Sequence, residues 1–531
     1  MNISLDLGSN GGVVLVALVA VPLLGALLLL TLGRLGDDAA AWLGTAFALV
    51  TLVLAVFAAL AAAPYDQKGM GLSYSAMWIS AIGVHLAFGL DGVSAPLVLL
   101  TALLGVLACW QLTRIRPPAG RVRGLVACVL AVVGGALSTF LAQDLILFFI
   151  SFEIVLIPMW FAIAFWGDDS QEARAVEPTA PLPGGEAARR DAANRFILYT
   201  AIGSAVMLLG FIWVGFNSGT LDIQALAHGA APHKMSATTQ TIAAVLIVGG
   251  MAVKVPTFPF HTWLPPAHTI APTVGSVLLA GVLLKMGTYG LVRIAVPVLP
   301  LGFPNVAPWL GVFGVAGIIW GAMACLRERD LKRLVAFSSV AHMGFVLLGI
   351  ASLTQIGLQG ALFANVAHGL IAGLLFLVAG AVKDRHHTTD LLKLGSGVRD
   401  RLPRLGWMLA FGAIAGLGLP GLAGFWGELL SITGAWGGRA GLGVLAKPLA
   451  VVAVIGTALA AAYLLRVLYL FWHGPRDHSW DTAAIADFSG HETSVALPLV
   501  ALIAFLGVLP WTLLGITGPA VRSLLSVGGL R

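Results

Sequence analysis

Stretches of mostly apolar residues, each about the 20 residues that a helix needs to cross the hydrocarbon core of a bilayer, recur almost from end to end of this chain. They lie near 12–33, 40–63, 93–113, 123–141, 145–166, 193–216, 241–264, 271–297, 306–325, 331–350, 357–381, 407–434, 447–472 and 493–517. Composition agrees: 59% of the 531 residues are hydrophobic and 10% are charged, too few charges to cover a water-soluble surface. Within a bilayer the backbone must satisfy its own hydrogen bonds. No barrel-like alternation of apolar and polar residues is present, so the expected fold is an all-α integral membrane protein of about fourteen transmembrane helices. The segment 64–92 is a long polar-aromatic connection that could hold short structure of its own.

Lys and Arg are retained on the cytoplasmic side of a membrane protein. Here they cluster in the loops after odd-numbered spans, from Arg114, Arg116, Arg121 and Arg123 to Arg327, Arg329, Lys332 and Arg333, and on to Lys383, Arg385, Lys393, Arg399, Arg401 and Arg404. The opposite loops and the termini hold only Lys68, Lys234, Arg439, Lys447, Arg522 and Arg531. Both ends are therefore expected outside the cytoplasm, on a multi-pass protein of the cell's inner (plasma) membrane. The net charge of +6 follows from this loop bias and points to lipid rather than nucleic acid as the surrounding partner. The first apolar run reads as a retained span, since MNISLDLGSN has no positive region and no small-residue cleavage site follows.

Cys109, Cys128 and Cys325 are isolated and form no CxxC pattern, and no glycine fingerprint follows a predicted strand. The chain is thus expected to carry no cofactor and no metal. Any redox chemistry falls to partners.

An ionisable side chain at mid-membrane costs several kcal/mol unless it is paired or wetted. Six such residues lie deep inside six different spans: Glu153, Lys254, Lys285, His342, His368 and Glu428. Snorkelling to an interface is a poor account of Lys254 and Lys285, which have about ten apolar residues on either side. For the glutamates the plain alternative is a neutral carboxyl bonded to backbone, and for each histidine an interhelical hydrogen bond. Arg293 and Arg466 lie near span ends, where snorkelling or capping is the expected role.

Two spans contain their own breaks. The seventh holds Pro256 and Pro259 just after Lys254, and the twelfth holds Gly416, Gly418, Pro420 and Gly421 before Glu428. Proline removes a backbone donor and clashes with the preceding turn, so both helices are expected to be interrupted at mid-membrane, where freed backbone groups admit water. Interrupted helices at corresponding positions point to inverted repeats with an ion path between them. The expected organisation is helices 1–3 over 1–122, a first five-helix repeat over 123–297, a second over 306–475, and a last helix with its tail over 476–531.

The stretches DLILFFISFEIVLIP, RFILYTAIGSAVMLLG, KVPTFPFHTWLPPAHTIAPTVGSVLLAGVLLKMGTYGLVR, LKRLVAFSSVAHMGF and GLPGLAGFWGELL resemble the proton-conducting membrane transporter family. That family includes the L, M and N subunits of respiratory complex I (NADH-quinone oxidoreductase) and the large subunits of Mrp-type cation/proton antiporters. The match runs over about residues 90–475. The resemblance implies that Glu153 pairs with Lys254, that Lys285 is a central relay, and that His342 and His368 continue the axis to Glu428. Glu rather than Lys in the twelfth span, and a short tail, are features of the M-type branch.

The resemblance further implies proton translocation driven by redox chemistry elsewhere, with FMN, iron–sulfur clusters and quinone on partner subunits and L-type and N-type antiporter-like subunits as neighbours. A subunit of an Mrp-type antiporter, or of a hydrogenase- or ferredoxin-linked relative, is the alternative. The expected sequence of events starts at Glu153 and Lys254: separating them frees a proton toward Lys285, and the histidines, whose two ring nitrogens suit a relay, pass it to Glu428. The loop 168–192 departs from the family pattern in its length and charge and reads as a mobile cytoplasmic insert.

Overall fold

The computed structural model describes residues 11–33, 35–63, 65, 70–117, 119–168, 185–228, 235–473 and 485–527. Among these, thirteen helices are long and apolar enough to cross a membrane. One more span, the twelfth in chain order, is the pair Pro403–Gly416 and Ala423–Gly437, neither long enough alone. The spans divide by burial. The eighth (Thr273–Val298) is wholly buried, the eleventh (Gln355–His386) 94% and the tenth (Leu331–Ala351) 89%, whereas the first, second, sixth and thirteenth bury under 40%. The spans of Lys285, His342 and His368 thus lie inside, whereas those of Glu153 and Lys254 are 50% and 56% buried.

Both expected breaks are present where the residues place them. The seventh span runs as Ala237–Lys254 and resumes as Leu264–Ile270, so Lys254 is the last residue of its first half. The indole Nε1 of Trp263 donates to the Val253 carbonyl at 2.9 Å, replacing a helical bond that the prolines interrupt. The twelfth span stops at Gly416 and restarts at Ala423, and Gly418 turns the chain at φ +72. A third irregularity lies in the fifth span, which divides into Leu145–Ile154 and Leu156–Trp166. Pro158 has no N–H for the Ile154 carbonyl, which accounts for the interruption beside Glu153.

Small residues set the closest helix crossings. Gly203 of the sixth span (Gly185–Ser218) and Gly250 of the seventh face each other so closely that a Cβ on Gly250 would lie 2.4 Å from the Gly203 carbonyl oxygen.

One element is the short structure allowed for in the sequence, and two others differ from its reading. The 64–92 connection contains an antiparallel hairpin, Leu72–Ile79 with Val84–Leu90, turning at Gly83 with φ +66. The last apolar run ends at Val508, and Pro510 separates it from a further helix, Trp511–Val527. The sixth helix begins at Gly185, so residues 185–192 of the 168–192 loop are helical. Residues 169–184, the greater part of that insert, lie outside the described residues, as do the N-terminal ten.

Candidate functional site

The eighth span departs from α-helical geometry twice, with wider π turns over Leu279–Leu283 and Leu291–Ala295, and Lys285 stands between them. Such turns are rare and displace side chains from their regular positions. The Lys285 amine, fully buried, reaches back to the Ala280 carbonyl and lies 2.7 Å from Nδ1 of His368 on the eleventh span. An ammonium has donors only, so in that state Nδ1 accepts and the imidazole carries its proton on Nε2. Moving the proton across the contact leaves a neutral amine accepting from Nδ1–H. The same 2.7 Å geometry serves both states.

The His368 ring lies 5.7 Å from the His342 ring, centroid to centroid, with 59° between the planes. His342, on the tenth span, places Nδ1 3.0 Å from Oε1 of Glu428, and its Nε2 is 3.5 Å from the Tyr463 hydroxyl. The second carboxylate oxygen of Glu428 accepts from Thr457 at 3.4 Å. A cavity of about 30 Å³ lies among Ser338, His342, His368, Gly416, Gly424 and Glu428, room for about two waters. It opens where the twelfth helix is interrupted, so the break supplies the space. A Cβ on Gly418 would sit 3.1 Å from Glu428 Oε2, so the left-handed backbone and close approach both favour glycine there.

Lys285, His368, His342 and Glu428 therefore form one line across four spans. Glu153 and Lys254 lie apart from it. Lys254, 1% exposed, has no hydrogen-bond partner for its amine and lies over the Phe152 ring at 4.8 Å and the Phe196 ring at 5.7 Å. No ion pair joins Glu153 and Lys254 among the described contacts, and Glu153 Oε1 is unpartnered. The two stand as an open pair, with phenylalanine faces where an ion pair would place oxygens.

Reading the sequence passed over one feature and assigned another the wrong role. His268, in the HTWLPPAH stretch, is fully buried on the second half of the seventh span, with both ring nitrogens unpartnered and its ring stacked 4.4 Å from that of Phe376. Its place in a helix broken by prolines was the available signal. Arg293 is the other. Capping is a sound account of Arg466, which donates to the Glu328 carbonyl at the end of the ninth span at 2.8 Å. Arg293 instead is 2% exposed and forms an ion pair with Asp91, a residue 202 positions away that no local pattern links to it.

Interrupted helices around a buried line of titratable groups define a transporter-type membrane protein. Residues 182–470 match the family described as NADH:quinone oxidoreductase/Mrp antiporter, transmembrane, and the chain belongs to that family. It is 38% identical over 474 residues to NAD(P)H-quinone oxidoreductase chain 4 1 of a Synechococcus species, covering 88% of this chain and 84% of that one. It is 37% identical over 477 residues to NADH-quinone oxidoreductase subunit M of Pseudomonas aeruginosa, covering 87% and 86%. A chain in the structure of respiratory complex I from Thermus thermophilus with bound NADH superposes with a TM-score of 0.81 at 27% identity, over 97% of this chain and all of the other.

Proposed function

We propose that this chain is the M-type proton-translocating subunit of an NADH:quinone oxidoreductase, and that protons cross it through Glu153, Lys254, Lys285, His368, His342 and Glu428. The observation that carries the reading is the contact line from Lys285 to Glu428, four titratable side chains joined by two direct contacts and a water-sized cavity. Its members each exchange a proton, and the small distances between them keep each transfer local. The relatives named above as subunits of quinone oxidoreductases support the assignment to that complex.

In this reading energy enters at Glu153 and Lys254. Closing the open pair stabilises the Lys254 ammonium, and opening it favours release toward Lys285. The two interrupted helices are the corresponding elements of two inverted repeats, over 123–297 and 306–475. FMN, iron–sulfur clusters and quinone reside on other subunits, and this chain holds no redox site. The exposed apolar faces of the outer spans, such as those carrying Leu24, Val53, Ile202 and Val454, meet lipid and the L-type and N-type neighbours. The membrane is the inner (plasma) membrane, with both termini outside the cytoplasm.

The test is purification from native membranes followed by reconstitution. The reading expects co-purification with NADH-oxidising, iron–sulfur-containing subunits, and a proton gradient on adding NADH and quinone that Lys285→Met abolishes. An intact gradient in an assembled Lys285→Met complex overturns it. A single cysteine in the 168–192 loop should react only from the cytoplasmic side.

A further inference from the structure

The line from Lys285 to Glu428 leaves the eighth span sideways, yet that span continues toward the hairpin end of the molecule, and its next polar residues are Thr288, Tyr289 and Arg293. At about 1.5 Å per residue, Arg293 lies about 12 Å from Lys285. Beyond it is a cavity of about 20 Å³ lined by Tyr65, Asp91, His228, Arg293 and Ser523, large enough for about one water. A direct outlet would therefore be short, and it would bypass the histidines and Glu428.

Between Lys285 and that cavity the polar groups are bonded in a way that stops a proton. The Thr288 hydroxyl is held between the Lys285 carbonyl at 3.1 Å and Asn365 Oδ1 at 3.0 Å. Tyr289 donates its proton to the Phe140 carbonyl at 2.7 Å, and its oxygen accepts from Arg293 Nε at 3.1 Å. The guanidinium has donors only and does not titrate. Its partner Asp91 is held through one oxygen: Oδ1 accepts from Arg293, from the Val93 and Ser94 amides at 3.0 and 3.1 Å, and from the Ser94 hydroxyl at 3.2 Å. Desolvation pushes the Asp91 carboxyl up, but Arg293 and the amide donors outweigh it and hold it below the usual range. The second π turn, over Leu291–Ala295, carries Arg293 within a stretch where every residue is buried.

We propose that the Arg293–Asp91 pair is a proton plug, which closes the short outlet of the first repeat and obliges protons at Lys285 to leave through His368. A fixed cation in a narrow polar passage is a known physical means of excluding protons, and here the cation donates to a tyrosine whose own proton ends on a backbone carbonyl. This rests on the relay reading above, and it makes Arg293 and Asp91 positioning residues rather than members of the relay.

Removing Arg293 alone leaves a buried carboxylate unpaired and endangers folding, so the main variant is the double Asp91→Asn/Arg293→Gln, which keeps shape and removes both charges. The assembled complex is reconstituted in liposomes and the decay of an imposed pH gradient is followed without NADH. The plug predicts decay at least about tenfold faster than in the parent, with NADH oxidation retained, and a return to parental tightness when Lys285→Met is added. Parental tightness in the double variant overturns the plug. So does a leak that persists with Lys285→Met, since such a leak does not pass through Lys285. If instead Lys285→Met alone leaves NADH-driven pumping intact, the relay reading itself fails, an outcome distinct from a tight double variant in a complex whose pumping does need Lys285.

Discussion

Lys285 and His368, 83 residues apart in the chain, meet at 2.7 Å between Nζ and Nδ1, and this contact ties the most buried span to the next most buried one. The amine has one carbonyl and one imidazole as neighbours. It can keep its proton or give it to His368 with no movement of either backbone.

Arginine at position 285 should therefore fail where lysine works. Arg cannot release its proton in the accessible pH range, so Lys285→Arg keeps the charge and removes the exchange. NADH-driven proton flux is expected to fall by about a hundredfold, within the range that a positioned proton-transfer group contributes, while NADH oxidation by detergent-solubilised complex persists. Parental flux in Lys285→Arg would mean that only the charge matters.

Lys254→Met should leave the complex as stable as the parent or more so. Its amine is buried without a hydrogen-bond partner, against Phe152 and Phe196, so Met in its place breaks no hydrogen bond and removes the desolvation cost of a buried charge. Pumping is nevertheless lost, because a thioether cannot titrate. Thermal unfolding of the complex and gradient formation are measured together; a large fall in melting temperature would assign Lys254 a structural role.

Gly418→Ala tests whether the helix break shapes the Glu428 pocket. A Cβ there meets Glu428 Oε2 at 3.1 Å on a backbone at φ +72, and the left-handed conformation costs an L residue about 1–2 kcal/mol. The expected result is a lower melting temperature together with reduced pumping. Unchanged pumping would show that the pocket tolerates displacement of the carboxylate.

At the lysine-rich end, Asp330 caps the tenth span by accepting from the Arg333 amide at 2.7 Å and also receives the Thr389 hydroxyl, joining two loops. Burial raises its carboxyl above the usual range, opposed by those hydrogen bonds. A raised folded value means that ionisation disfavours the folded loops, so this group's penalty is present above that value and is relieved as pH falls through it. Asp330→Asn, which caps without charge, is expected to keep loop protection in hydrogen exchange and to lose the pH dependence. Asp330→Ala is expected to lose about 1 kcal/mol, the usual effect of removing a cap.

The sequence was most legible where the cause is local. Pro256, Pro259, Pro420 and the glycines around it act on their own turns, so the ends of the half-helices at Lys254 and Gly416 could be read before any fold was known. The six ionisable residues stood out because each interrupts an apolar run. Their partners did not, since the contacts of Lys285 with His368 and of His342 with Glu428 span 83 and 86 residues and depend on how four spans pack. Arg293 was misread for the same reason. Near a span end, an arginine bound for the interface and one bound for a buried aspartate on another segment look alike. The further helix Trp511–Val527 was hidden by an apolar run that crosses Pro510 with little change in composition.

The most direct test of the account concerns Glu428, where the line reaches the broken twelfth helix. Glu428→Gln keeps the shape and the contact with His342 and cannot titrate, whereas Glu428→Asp keeps the titration and gives up one methylene of reach, which a water in the adjoining cavity can bridge. NADH oxidation and the proton gradient are measured together in membranes carrying each assembled complex. The account predicts that Gln loses the gradient and Asp retains most of it; a Gln variant that pumps like the parent beside an Asp variant that fails would contradict it.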